Sequence, residues 1–214
     1  MVVKEVKNLC FDLLKEKLVP LGYKPNKKEQ RLAKLNDLGF EEISFGTVEY
    51  AKLKTYKVYF YVSVRLNAVE ELKEHFIKFV DEHAKQNNST CNINCGSFIG
   101  NSSLQFEIKS PEDVENAVAI FWNIYNEHAI EYIKKCYDIQ FLNSLYPTYG
   151  KACKDWLTIS DWFAVVPTIA FLANKETFPA FRKEFADYLI NELKMPENKQ
   201  QEYNAYLDKI TTEN

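Results

Sequence analysis

Within residues 54–66, apolar and polar side chains alternate without a break over the ten residues from 57 to 66. Val58, Phe60, Val62, Val64 and Leu66 form one set, and Lys57, Tyr59, Tyr61, Ser63 and Arg65 form the other. A period of two over that length predicts a strand with two unlike faces, and β-branched and aromatic residues suit a pleated, half-buried surface. The aliphatic face needs helical cover. The opposite face, two tyrosines framed by Lys57 and Arg65, is either a second packing surface or a place where something binds.

Around this strand the chain reads as one helix, three strands, a helix, two strands, a long helix and a run of further helices. Residues 3–19 carry Val6, Leu9, Cys10, Leu13, Leu14 and Leu18 at helical spacing, and Pro20 and Gly22 end the pattern. Residues 25–30 read as a polar turn and 31–35 as a short strand. Residues 40–50 form a second alternating run in which Gly46 predicts a bulge or a close backbone approach. A short connection near residues 51–55 makes an antiparallel pair with the organising strand the simplest arrangement. Asn67 followed by Glu70 predicts an N-cap and capping box for a helix reaching about Lys85, with Val69, Leu72, Phe76, Phe79 and Val80 as its stripe. Cys91, Ile93 and Cys95, then Leu104, Phe106 and Ile108, alternate as two more strands. Ser110 and Pro111, followed by Glu112 and Asp113, open a long helix whose buried stripe is Val114, Val118, Phe121 and Tyr125.

From Ile139 onward the strand pattern stops. Helices are expected over residues 156–174 with a kink at Pro167, over 178–193 with Phe181, Phe185, Tyr188 and Leu189 inward, and over 196–210. Segregated strands and helices predict an α+β fold: a mostly antiparallel sheet of about five strands packed by helices, followed by an all-helical C-terminal annex. The expected organisation is a sheet domain over residues 1–138 and a helical annex over 139–214, packed as one compact unit.

The chain has 214 residues, enough to bury about 70% of its unfolded surface. Its 27 Lys and Arg against 30 Asp and Glu give a formal charge of −3, which lacks the basic excess that phosphate backbones require, so nucleic acid is not an expected partner. The longest apolar run, residues 162–173, is shorter than the about 20 residues of a membrane span, and residues 1–6 do not lead into a signal-peptide core. Neither membrane insertion nor secretion is expected. Five cysteines, an odd number, fit a reducing cytoplasm where thiols serve as small apolar residues, and the sequons at Asn87, Asn88 and Asn101 then carry no glycan.

With the layout in place, a resemblance emerges. Leu21, Gly22, Tyr23 and Lys24 close the first helix; Ile43 to Phe45 follow, then Tyr59 to Arg65 leading into Val69, Glu70 and Leu72. This arrangement resembles the uncharacterised bacterial family known as domain of unknown function 4304, over about the first two-thirds of the chain. The resemblance implies a fold and no chemistry.

Candidate chemistry is sparse. Cys91 and Cys95 invite a zinc reading, but in a strand their Cα atoms lie about 13 Å apart, which favours core thiols, so no metal or cofactor is expected. His75 with Glu71, and His128 with Glu131, share helix faces where a carboxylate could tune an imidazole; solvated helix faces carry such pairs often. His83 continues an apolar stripe and reads as packing. Asp12 with Glu16 and Glu41 with Glu42 are the carboxylate pairs, and neither is expected to be desolvated. Ser160 and Asp161, directly before an apolar helix, read first as caps, and Trp156, Trp162 and Phe163 as annex core. Phosphate loops, zincin motifs, nucleophile elbows and dinucleotide fingerprints are absent from the sequence.

What remains is the face of Tyr59, Tyr61, Ser63 and Arg65, extended by Glu42 and Ser44 on the neighbouring strand. Tyrosine and arginine combine contact area with a polar handle and are enriched where proteins bind. The expected function is therefore a cytoplasmic, non-enzymatic adaptor or inhibitor that uses this face to hold another protein. The alternative is a small-molecule binder or hydrolase with a cleft between sheet and annex, Arg65 holding an anion and His128 or His75 titrating.

Overall fold

The computed structural model describes residues 2–50, 55–74, 86–145 and 162–212, with Trp162 described by its backbone alone. His75, Phe76, Phe79, Val80, His83, Trp156, Ser160, Asp161 and the turn at 51–54 lie outside the described residues. The fold is α+β, with a six-stranded antiparallel sheet packed by helices and further helices after it. Two compact units emerge, one of Met1–Val64 with Asn92–Lys134, the other of Arg65–Cys91 with Lys135–Asn214.

The first unit holds the sheet. Helix α1 (Val3–Leu18) buries Val6, Cys10, Phe11, Leu14 and Leu18 and ends through a short 3₁₀ turn at Gly22, whose φ of 92° suits a residue without a side chain. The strands are β1 (Lys24–Asn26), β2 (Arg31–Asn36), β3 (Gly39–Tyr50), β4 (Thr55–Leu66), β5 (Cys91–Asn94) and β6 (Phe106–Ile108). Their order is β1-β2-β3-β4-β5, with β6 also on β4. Registers are antiparallel, Lys24 opposite Ala33, Arg31 opposite Ser44 and Tyr56 opposite Ile108. β1 lies where the sequence reads as a polar turn. It forms through backbone pairing with β2, and its Pro25 is tolerated because edge strands need fewer ladder donors.

The aliphatic face of β4 is sealed as its pattern predicts. Val58 and Phe60 are fully buried, Val62 nearly so, and Phe60 stacks on Phe121 with ring centroids 4.7 Å apart. Helix α3 (Pro111–Ile124) supplies Phe121 and starts where Ser110 and Pro111 predict, with a capping box. Ser110 Oγ accepts from Asp113 N, and the Asp113 carboxylate accepts from the backbone N–H groups of Lys109 and Ser110 at 2.9 Å each, which lowers its pKa. Val114, Val118, Phe121 and Tyr125 are all buried. A π-helical turn (Tyr125–Ala129) then joins α3 to α4 (Ile130–Cys136).

The second unit contains α2 (Asn67–Lys73), α5 (Ile139–Ser144), α6 (Trp162–Ala173), α7 (Phe178–Asn191) and α8 (Glu197–Thr212). Rings run through its core from Phe171 and Phe178 to Phe185, Tyr203 and Tyr206. Pro167 lies inside α6, and the next residue braces that turn: Thr168 Oγ1 meets the Ala164 carbonyl at 2.7 Å and also contacts the Tyr206 hydroxyl. Among the described residues no helix is long and apolar enough to cross a membrane.

One predicted cap is replaced. The residue capping α2 is Leu66, with no side-chain cap, while Asn67 Oδ1 accepts from Arg65 Nε at 2.9 Å. Glu70 turns inward instead of reaching back, because Lys73, 0% exposed, requires a counter-charge.

Candidate functional site

Ile43 and Phe45 point into the core, so alternation turns Glu42, Ser44, Gly46, Val48 and Tyr50 of β3 to the other face, together with Tyr59 and Tyr61 of β4. Gly46 is where the sequence predicts a close approach, and the reason is visible: a Cβ there would overlap the Tyr59 ring. With that ring seated on bare backbone, Tyr61 meets it edge to face at 5.3 Å. Both rings are half-buried, and burial together with the neighbouring Tyr59 raises the Tyr61 pKa. Farther along the face Lys57 Nζ sits 5.2 Å from the Tyr50 ring centroid.

Glu42 departs from the expectation that it stays solvated. Its side chain is 13% exposed, and burial raises its pKa against the opposing pull of Arg31, whose Nη1 donates to Glu42 Oε2 at 2.9 Å. Arg31 also pairs with Glu29 at 2.5 Å, so one guanidinium serves two carboxylates. Strand pairing explains why the alternation rule missed this: Arg31 lies opposite Ser44, next to Glu42 on the same face. Asp12, by contrast, is exposed and pairs with Lys27 at 3.5 Å.

The last two members of the expected face lie deeper. Ser63 is 4% exposed and its hydroxyl donates to Asn92 Oδ1 at 3.4 Å. Arg65, in the second unit, is 8% exposed; beyond its bond to Asn67, Nη1 donates to the Asn88 carbonyl at 3.0 Å. Its guanidinium holds this chain's own backbone. His128 belongs to the first unit, is exposed, and has Nε2 3.8 Å from Glu127 Oε2. Cys91, Ile93 and Cys95 are all buried, and burial pushes the Cys95 thiol up to about 12, as it does Cys10.

Two polar clusters escape the sequence reading. In the second unit the Glu70 carboxylate receives Lys73 Nζ at 2.6 Å, Asn88 Nδ2 at 3.0 Å and Thr90 Oγ1 at 2.9 Å, while Leu66 N donates to Thr90 Oγ1 at 3.0 Å. The signal was present: Lys73 falls four residues after Val69 and three before Phe76, on the apolar stripe itself. In the first unit Tyr23 and Tyr125 join hydroxyls at 3.0 Å, and Lys34 meets Glu41 at 3.2 Å. Burial, then Tyr125 and Glu41, raises the Tyr23 pKa, so that phenol stays a hydrogen-bond donor. Nothing in the local sequence around Tyr23 signals a partner a hundred residues away.

Chemically, the three groups differ. The Glu70–Lys73 pair and the Tyr23–Tyr125 pair are buried, and within each pair the groups engage one another, which suits tying elements together. The tyrosine face alone offers large, partly exposed and rigidly seated side chains. Comparisons with protein families, with curated proteins and with solved structures find no match.

Proposed function

We propose that this chain is a binding or adaptor module that holds another protein on the outward face of its sheet, with Tyr59 and Tyr61 at the centre. The observation that carries the reading is the edge-to-face tyrosine pair, with the Tyr59 ring seated over Gly46 and Tyr61 against it. Rings fixed before binding lose little conformational freedom on contact, and tyrosine brings both area and a hydroxyl. Lys57 over Tyr50 adds a cationic rim, suited to a partner surface carrying carboxylates. Ser63 and Arg65 are buried and hydrogen-bonded within the chain, and so are not part of the proposed contact. A reducing compartment such as the cytoplasm fits the buried thiols of Cys10, Cys91 and Cys95.

The test is co-purification from the native host with tagged wild type, Tyr61→Ala and Lys4→Ala. A partner retained by wild type and Lys4→Ala but lost from a folded Tyr61→Ala supports the reading. Equal recovery with all three overturns it.

A further inference from the structure

Strand β3 runs from Gly39 to Tyr50, but β2 accompanies it only as far as Ser44. Beyond that point, among the described residues, β4 alone pairs with β3, leaving residues 45–50 with an open edge on the other side. An open edge presents backbone donors and acceptors to any strand that can align. Natural sheets blunt such edges with proline, lysine or brevity, and β1 at the sheet's rim does so with three residues that include Lys24 and Pro25. The free part of β3, Phe-Gly-Thr-Val-Glu-Tyr, has neither proline nor lysine, and Val48 and Tyr50 are 40% and 39% exposed.

We infer that this edge pairs with the same edge of a second copy, antiparallel about a two-fold axis at Val48. In that register Val48 faces Val48, Gly46 faces Tyr50 and Thr47 faces Glu49. The β-branched pair lies on the axis and no like charges meet, both of which favour cross-strand pairing. Neighbouring two-fold registers are worse. Centring on Glu49 opposes two carboxylates, and centring on Thr47 sets Glu49 against Phe45, which is buried in its own core. The sequence is thus complementary to itself in one register. So short an edge buries little area, so the dimer is weak and concentration-dependent. The inference does not depend on the tyrosine face binding another protein.

Sedimentation equilibrium of the purified full chain, from low micromolar to near-millimolar concentration, tests it with Val48→Lys, Val48→Glu and their equimolar mixture. Circular dichroism and the thermal midpoint establish that both variants fold, which the exposure of Val48 permits. The expected result is a wild-type mass rising toward twice that of the monomer, a monomer for each variant alone at every concentration, and recovery of the dimer in the mixture, where lysine meets glutamate across the axis. A wild type that stays monomeric overturns the inference. So does a dimer that survives in either variant, or a mixture that stays monomeric.

Discussion

In the first unit the interior closes by ring stacking, with Phe60 on Phe121 and Phe45 and Phe106 around them, and a buried polar contact there joins two neutral phenols. In the second unit a full ion pair is enclosed, Glu70 and Lys73 at 1% and 0% exposure, with Thr90 and Asn88 completing the carboxylate's partners. Both interiors are closed, but they respond differently to damage. An apolar contact loses only its own packing when cut, whereas half of a buried ion pair leaves the other half without its counter-charge. Strand β4 passes from one regime to the other: its tyrosines are partly exposed, and four residues past Tyr61, Arg65 is buried and committed.

The largest effects should be similar in size and different in kind. Phe60→Ala removes a ring that touches three others and should cost about 3–5 kcal/mol by urea denaturation. Lys73→Met should cost about 3–5 kcal/mol as well, by leaving the Glu70 carboxylate enclosed without its cation. The contrast appears in the repair: Glu70→Leu added to Lys73→Met should restore most of the loss, since a buried ion pair is often replaceable by apolar residues of similar volume. A double variant as damaged as the single would place the second unit on the same footing as the first.

A smaller effect distinguishes Glu42. Its folded-state pKa is raised, so below the ordinary carboxylate range the group is protonated in both states and contributes no pH dependence. As pH rises through that range the unfolded chain ionises first, and stability falls until the raised folded value is passed, then levels. Urea denaturation at a series of pH values should show this decline in wild type and a flatter profile in Glu42→Gln. An unchanged slope would mean that Arg31 fully offsets the burial.

The smallest expected effect is on thiol chemistry. Cys10 and Cys95, with thiols pushed up to about 12, should not react with a maleimide at pH 8 while the chain is folded, and should react once urea unfolds it. Rapid native labelling at either position would show that the first unit opens readily.

How much of this was legible in the sequence follows from the range of the forces. Periodicity is local, and it located α1, β2, β3, β4 and α3, and with local composition the helix start at Ser110 and Pro111 and the close approach at Gly46. β1 escaped because its strand character comes from pairing with β2 and not from its side chains. The reading of Glu70 as a capping partner failed because its choice was settled by Lys73, Asn88 and Thr90, two of them far along the chain. Glu42 was misread for the same reason, since Arg31 reaches it only through the register of β2 on β3. Of the candidate site, the alternation grouped Tyr59, Tyr61, Ser63 and Arg65 as one set; what it could not supply was depth, which separates the two half-buried tyrosines from the two buried residues.

The central claim is that the tyrosine pair is available to a partner and is not itself core. The stability of Tyr61→Ala measures this most directly. Urea denaturation should put the variant within about 1 kcal/mol of wild type, as expected where a side chain fills no enclosed space. A loss of about 3–5 kcal/mol, equal to that of Phe60→Ala, would mean that Tyr61 is packed as deeply as the apolar face, and the proposed binding surface would not exist.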